Sequence, residues 1–322
     1  MSKPKVFVTR KLSSQFVKEY EEILDIRMWD KEEEPVPEEI LRSQAKEVDA
    51  LFTVLGDRID ETLLAEAKNL KVVANMAVGY DNIDIDAASK HGITVANTPD
   101  VLSETTADLG FSLLAATARR ITEASTYVKE DNWKQWGPFL LAGTDIHHKT
   151  LGIVGMGRIG EALAKRATGF NMKIQYHNRS RKPEAEEKLQ ASYVSFEELL
   201  ETSDFVVTVV PFTKETEELF NESAFKKMKA SAIFINISRG KVVDETALID
   251  ALNHGEIKAA GLDVFYEEPI RADHPLVNMD NVVCLPHIGS ASTETRTEMI
   301  HLCMKNIVEV TAGRVATTPV NN

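Results

Sequence analysis

Three residues stand where a parallel sheet would deliver reactive side chains. Arg239 follows the apolar run 233–237 in Asn-Ile-Ser-Arg-Gly. Glu268 follows Leu262-Asp263-Val264-Phe265 in Tyr-Glu-Glu-Pro, and His287 follows the run 282–285 in Pro-His-Ile-Gly-Ser. An arginine can hold a carboxylate through a planar pair of hydrogen bonds. A histidine facing a carboxylate is a proton donor tuned near neutral pH. Taken singly, each has a plainer reading: a surface charge, a solvated loop acid, a turn residue. Taken together they suit hydride transfer at a carbonyl beside a carboxylate, provided the chain also binds a hydride source.

The run Thr150-Leu-Gly-Ile-Val-Gly-Met-Gly-Arg-Ile-Gly160 supplies the site for one. Leu151 to Val154 reads as a buried strand, and Gly155, Gly157 and Gly160 fit G-x-G-x-x-G before an amphipathic segment over residues 161–168. Gly155 allows the tight turn, Gly157 lets backbone approach a pyrophosphate, and Gly160 lets the helix pack close to the strand. The helix N-terminus offers unpaired N–H groups and partial positive charge to phosphates. A NAD-selective site usually places an acid about 20 residues further on. Here the chain reads His177-Asn178-Arg179-Ser180-Arg181-Lys182, with Asn178 in that place. No carboxylate repels a 2′-phosphate, and Arg179, Arg181, Lys182 and Ser180 could meet one. The expectation is therefore NADPH over NADH, against the alternative of a solvated basic turn.

These residues need a scaffold. The 322 residues suit two domains, with 43% hydrophobic and 7% aromatic content. The net charge of −13 argues against nucleic acid or an anionic membrane as partner. No apolar run approaches the roughly 20 residues of a membrane helix. The start, Met1-Ser2-Lys3-Pro4-Lys5, lacks a signal-peptide core, so the cytoplasm is expected. Cys284 and Cys303 are the only cysteines and read as buried reduced thiols. His147 and His148 are adjacent, His254 sits at a helix end, and no cluster has ligand spacing, so no metal is expected.

Strand and helix patterns alternate. In the first part strands fall at residues 5–9, 26–29, 50–55, 72–76 and 93–96, with helices at 15–24, 38–48, 61–68 and 85–90. A long helix spans 103–119, and an irregular stretch with Trp133, Trp136, Gly137 and Pro138 follows. After the glycine motif, strands fall at 173–176, 205–210, 233–237, 260–264 and 282–285, with helices at 196–200, 222–228 and 245–253 and a final one at 294–310. Repeated βαβ alternation implies parallel sheets covered on both faces. The expected fold is α/β, with two doubly wound parallel-sheet domains. Residues 1–99 with 291–322 form a flavodoxin-like substrate domain, and 100–290 a Rossmann-type dinucleotide domain. Such a chain should place its active site in the cleft between the sheets, at strand carboxyl ends.

The chain also resembles the D-isomer-specific 2-hydroxyacid dehydrogenases, within them the glyoxylate/hydroxypyruvate and 2-ketogluconate reductase branch. The likeness runs through Val78-Gly79-Tyr80-Asp81-Asn82-Ile83-Asp84, Asn97-Thr98-Pro99, Glu104-Thr105-Thr106-Ala107-Asp108, the glycine motif, Val210-Pro211, Ser238-Arg239-Gly240, Glu268-Pro269 and Pro286-His287-Ile288-Gly289-Ser290. The resemblance implies two similar domains, with the C-terminal helix returning to the first, and a homodimer joined through the cofactor domain. It implies Arg239, Glu268 and His287 as the catalytic three, and the Val78-Gly79 backbone at the substrate carboxylate. Thr106, Pro211, Asp263 and Gly289 match positions around the cofactor, where Met156, Arg158, Ile159, Thr216 and Ile237 are also expected. Leu55, Ser290 and Trp136 are expected near the substrate, Trp136 by its likeness to a tryptophan of this branch that reaches across a dimer interface. The implied activity is NAD(P)H-dependent reduction of small 2-oxoacids. The alternatives are 2-ketogluconate as main substrate, or a dinucleotide-sensing corepressor.

Overall fold

The structure, a computed structural model, describes residues 2–321. The chain divides into two compact units, Met1–Leu102 with Ala291–Asn322, and Ser103–Ser290. Each is a parallel sheet with helices, the α/β architecture that the alternating patterns predict.

In the first unit the strands are β1 (Lys5–Val8), β2 (Asp25–Met28), β3 (Ala50–Thr53), β4 (Val72–Asn75) and β5 (Thr94–Ala96). Their order is β2-β1-β3-β4-β5, all parallel. This is the flavodoxin-like arrangement, whose order reverses between β1 and β3. Every residue of β3 and β4 is buried, as a strand covered on both faces requires. The connecting helices are α1 (Glu38–Glu47), α2 (Glu61–Glu66) and α3 (Ile85–Lys90). Asp60 and Asp84 cap the last two, accepting the Leu63 and Ala87 N–H groups.

The second unit opens on α4 (Ser103–Ala118) and α5 (Ile121–Lys129). It then runs through β6 (Thr150–Val154), α6 (Arg158–Thr168), β7 (Lys173–His177), α7 (Pro183–Leu189), β8 (Ser192–Tyr193), α8 (Phe196–Thr202), β9 (Phe205–Thr208), α9 (Glu222–Lys227), β10 (Ile233–Asn236), α10 (Glu245–Asn253), β11 (Ala259–Leu262) and β12 (Val282–Cys284). The sheet order is β12-β11-β10-β9-β6-β7-β8, again parallel throughout. Its order reverses between β6 and β9, so the glycine turn after β6 lies at the switch point. The final helix, α11 (Thr293–Thr311), returns to the first unit and packs on β3, β4 and β5. It buries Met299, Ile300, Cys303, Met304 and Ile307. The tail then pairs with β5, Val320 N–H donating to the Val95 carbonyl at 2.7 Å.

The same device anchors both sheets. Asp49, just before β3, accepts the Lys5 N–H at 2.9 Å and meets Lys71 at 3.0 Å. Asp204, just before β9, accepts the Thr150 N–H at 2.9 Å and meets Lys229 at 3.0 Å. Each acid thus ties the first residue of one central strand to its neighbour. Burial pushes both carboxyls up, but these partners outweigh it and hold them below their ordinary range.

Four local expectations change. Residues 15–24 are not an α-helix: a 3-10 turn at Ser14–Phe16 leads into further turns, with Val17 and Leu24 as the buried anchors. Ser13 gives no side-chain cap, and the tighter i→i+3 bonds close the segment. Part of the irregular stretch is helix α5, which buries none of its residues and so shows no core-facing stripe. α7 and β8 are additional elements, α7 being a charged segment with Ala185 and Leu189 buried. Cys303 is buried as expected, whereas Cys284 is only half-buried. Burial raises both thiols, Cys284 to about 11. Among the described residues no helix is long and apolar enough to cross a membrane.

Candidate active site

β10, β11 and β12 are adjacent, and each releases its chain at the carboxyl end into one of the three residues singled out by sequence. After β10, the buried Asn236 accepts the Ser238 N–H at 3.0 Å and donates to the Arg239 carbonyl at 3.0 Å. These bonds fold the Ser238–Arg239 turn, and the guanidinium donates to the Ser238 carbonyl at 2.8 Å. Gly240 follows because nothing larger fits: a Cβ there would lie 1.8 Å from the Phe265 carbonyl carbon.

After β11 comes Asp263, 1% exposed. Burial raises its carboxyl, opposed by the Ile288 N–H, by His287 and by the Gly289 N–H. Its Oδ1 accepts from Ile288 N at 2.8 Å. Glu268 turns one oxygen back onto its own loop, Oε1 accepting the Phe265 N–H at 3.1 Å. The other oxygen, Oε2, lies 2.7 Å from His287 Nδ1. His287 adopts φ +53°, a conformation that costs a residue with a Cβ about 1–2 kcal/mol. The bonds on either side of it, Leu285 N–H to the Leu262 carbonyl at 2.8 Å and Ile288 N–H to Asp263, hold it there. With Nδ1 engaged by the carboxylate, the hydrogen-bond pattern assigns that nitrogen its proton, and Nε2 is left to face a reactant. The side chains of His287 and Glu268 are 26% and 36% exposed, so the pair is accessible.

The glycine turn fits a dinucleotide. Gly155 takes φ +106°, and a Cβ on it would press within 3.0 Å of Val209 and Val210. A Cβ on Gly160 would lie 2.3 Å from the Gly155 carbonyl, while one on Gly157 would meet nothing within 4 Å. Gly160 is therefore glycine for packing, and Gly157 opens onto the space a pyrophosphate would take. Gly157 brings no side chain to cap α6, which starts at Arg158, three residues before the sequence pattern placed it. The N–H groups of its first turn, with Ile159 half-buried and Met156 fully buried, can hold an anion. Thr106, Asp263 and Gly289 come together: a Cβ on Gly289 would stand 3.3 Å from both the Asp263 carboxylate and the Thr106 methyl. Ile237 is buried beside Gly110. After β9, Thr216 Oγ1 donates to the Pro211 carbonyl at 2.7 Å and accepts the Thr213 N–H at 2.8 Å, shaping that loop.

The basic turn after β7 is only partly available to a ligand. Asn178 donates to the Ser180 carbonyl at 3.1 Å, closing the turn. Arg181, expected to reach a phosphate, is paired within the protein: its guanidinium meets Glu186 at 2.5 and 3.0 Å and lies 5.8 Å from the Tyr193 ring centre. Glu186 sits one turn into α7, an element invisible in the sequence pattern. Arg179 and Ser180 remain exposed. Arg179 has an acidic neighbour in the Pro211–Thr216 loop: Glu215 is held below its ordinary range, mostly by the Thr213 hydroxyl and in smaller part by Arg179.

In the first unit, Val78 and Gly79 follow β4 in a loop held by side-chain amides. Asn97 donates to the Val78 carbonyl at 2.7 Å and Asn75 to the Gly79 carbonyl at 3.0 Å. Asn75 also accepts the Thr53 hydroxyl, and Asn82 ties the loop to the Val54 and Asp57 carbonyls. The carbonyls are thus occupied, while the Val78 and Gly79 N–H groups donate to no group among the described residues. Two such N–H groups in sequence can receive a carboxylate. Leu55 lies half-buried after β3, beside the reversal between β1 and β3. Asn82 and Asn97 lie within motifs that carry the family resemblance, whereas Asn75 was not singled out by sequence, although it ends β4. Ser290 is half-buried at the end of the His287 segment. Trp136 is 76% exposed, in a stretch where Trp133, Phe139 and Leu140 are exposed as well.

The profile of the D-isomer specific 2-hydroxyacid dehydrogenase NAD binding domain matches residues 111–289. The chain belongs to this family, and its second unit holds the family's NAD-binding domain. A glyoxylate reductase of Pyrococcus horikoshii is 50% identical over 99% of this chain and 96% of its own. A glyoxylate reductase of Thermococcus litoralis is also 50% identical, over 99% and 97%. Among solved structures, an NADPH-dependent glyoxylate/hydroxypyruvate reductase of Sinorhizobium meliloti, in complex with NADP and malonate, superposes with a TM-score of 0.86. It is 32% identical and covers 99% of this chain and 97% of its own.

Proposed function

We propose that the protein reduces small 2-oxoacids, glyoxylate and hydroxypyruvate first among them, to D-2-hydroxyacids. The observation that carries this reading is the 2.7 Å pairing of His287 Nδ1 with Glu268, which leaves Nε2 to deliver a proton. When bound, the reduced nicotinamide supplies a hydride to the substrate carbonyl carbon. His287 gives its Nε2 proton to the carbonyl oxygen, so the hydride and this proton together account for the two electrons and two hydrogens that the carbonyl gains. Glu268 orients the ring and faces the imidazolium with negative charge. Arg239 takes the substrate carboxylate in a forked pair of bonds and polarises the carbonyl. The Val78 and Gly79 amides are donors suited to a carboxylate.

The glycine turn, Thr106, Asp263 and Gly289 support a dinucleotide. NADPH is favoured over NADH by Asn178 in place of an acid and by the exposed Arg179. Support for a homodimer through the second unit comes from Ile121, Val128, Trp133, Trp136 and Phe139, each more than half exposed. A soluble monomer rarely leaves so much apolar surface in one short stretch. Light scattering at twice the chain mass is the expected result.

The test is turnover with glyoxylate, hydroxypyruvate and 2-ketogluconate against both reduced cofactors. Oxidation of reduced cofactor only when an oxoacid is present supports the reading. Tight dinucleotide binding with no turnover on any of the three would overturn it in favour of a sensing role.

A further inference from the structure

The loop that carries Glu268 leaves β11 through the Phe265–Tyr266 peptide, and that peptide is held from two sides. Gly240, the neighbour of Arg239, packs against its face, where any Cβ would lie 1.8 Å from Phe265 C and 2.3 Å from Tyr266 N. From the other side Glu245 Oε1 accepts the Tyr266 N–H at 2.7 Å. The second oxygen of the same carboxylate, Oε2, stands 3.6 Å from His274 Nε2 at the far end of the loop. His274 Nδ1 accepts the Leu276 N–H at 3.3 Å, which puts the ring proton on Nε2, facing Glu245. Glu245 is the first residue of α10, but it is not needed as a cap, because Asp244 already accepts the Ala247 N–H at 3.1 Å. Its side chain is 19% exposed and reaches away from its own helix.

We propose that Glu245 is a positioning residue for the reaction. One carboxylate bonds the start of the segment 266–274 and stands beside His274 at its far end, and the segment between them presents Glu268 to His287. Glu268 in turn bonds the Phe265 N–H, one peptide before the bond that Glu245 makes. Two acids on consecutive N–H groups therefore set the direction in which the loop departs. Losing the Glu245 bond frees the Tyr266 peptide edge and lets Glu268 swing, so proton delivery suffers while substrate and cofactor binding do not. The inference rests on the roles of Glu268 and His287 proposed above.

A double-mutant cycle tests it. Glu245→Ala is expected to lower kcat for glyoxylate about tenfold, with KM and the dinucleotide Kd changed by less than about twofold. In a Glu268→Gln background the same change should cost less than about twofold, because its effect passes through Glu268. Glu245→Gln should restore most of kcat, since an amide oxygen still accepts the Tyr266 N–H. If Glu245→Ala does not fold, Glu245→Gln and Glu245→Asp carry the cycle, Asp being too short to reach both ends and so expected to behave as Ala. A full loss in the Glu268→Gln background, or a raised KM at unchanged kcat, overturns the inference while leaving Glu268 in place. A Glu268→Gln enzyme with wild-type kcat instead overturns the role of Glu268, and that of Glu245 with it.

Discussion

His287 and Glu268 meet at 2.7 Å through Nδ1 and Oε2, and this contact engages one ring nitrogen and leaves Nε2 as the other. A positioned general acid contributes about 100- to 10,000-fold. His287→Ala should lower turnover by that order while dinucleotide binding, followed by cofactor fluorescence, survives. Glu268→Gln removes the anion beside the imidazolium. Turnover with glyoxylate should then fall, since the ring loses the carboxylate that orients it, and an unchanged kcat would refute the pairing.

Arg239 is fixed by a turn that Asn236 folds from both sides. Lysine keeps the charge but not the planar fork. Arg239→Lys should therefore raise KM for glyoxylate and lower kcat together. Kinetics equal to wild type would show that the carboxylate is held elsewhere.

The cofactor turn yields a graded expectation. Arg179→Ala should weaken NADPH use by about 1.5–3 kcal/mol, the range for a charged hydrogen bond, and spare NADH. Arg181→Ala should do far less, because that guanidinium is committed to Glu186. Asn178→Asp should shift the ratio of kcat/KM values toward NADH. A wild type that already prefers NADH would count against this reading of the turn.

Trp136 presents 76% of its surface to solvent in the single chain. If it completes a substrate pocket on a partner subunit, Trp136→Ala should change the ranking of oxoacids without unfolding the protein. An equal loss on all of them with a lower Tm would assign it to packing alone.

Acid stability follows from the paired anchors Asp49 and Asp204. Both carboxyls are lowered from an ordinary 3.8 in the folded protein. Their contribution is present above that value and is lost as pH falls through the folded value. Asp49→Asn and Asp204→Asn should each flatten the fall of stability below about pH 4, measured by urea unfolding across pH. A slope equal to wild type in both would show that the anchors carry no such linkage.

The strand pattern and the three strand-end residues were readable because buried parallel strands are short apolar runs whose ends are marked by a change of composition. The glycine motif was readable because each glycine answers a separate steric demand. The contact from Glu245 was not, since 21 residues separate it from Tyr266 and its spacing resembles an ordinary first-turn acid. The commitment of Arg181 was hidden for a related reason. Glu186 lies on α7, whose charged sequence has only two buried positions to betray a helix. Residues 15–24 carry apolar side chains at helical intervals, yet only Val17 and Leu24 found a buried place. Periodicity reports which residues could share a face, not whether a face exists to receive them.

The first unit is made from both ends of the chain, with α11 and the tail laid over strands that precede them by some 200 residues. On a ribosome adding about 5–20 residues per second, the β3–β5 face waits roughly 10–40 seconds for its cover. The second unit is one continuous stretch and has no such wait. Birth order and completion order are therefore reversed: the segment made first is finished last. During that interval its apolar strands are the surface that a chaperone would have reason to guard.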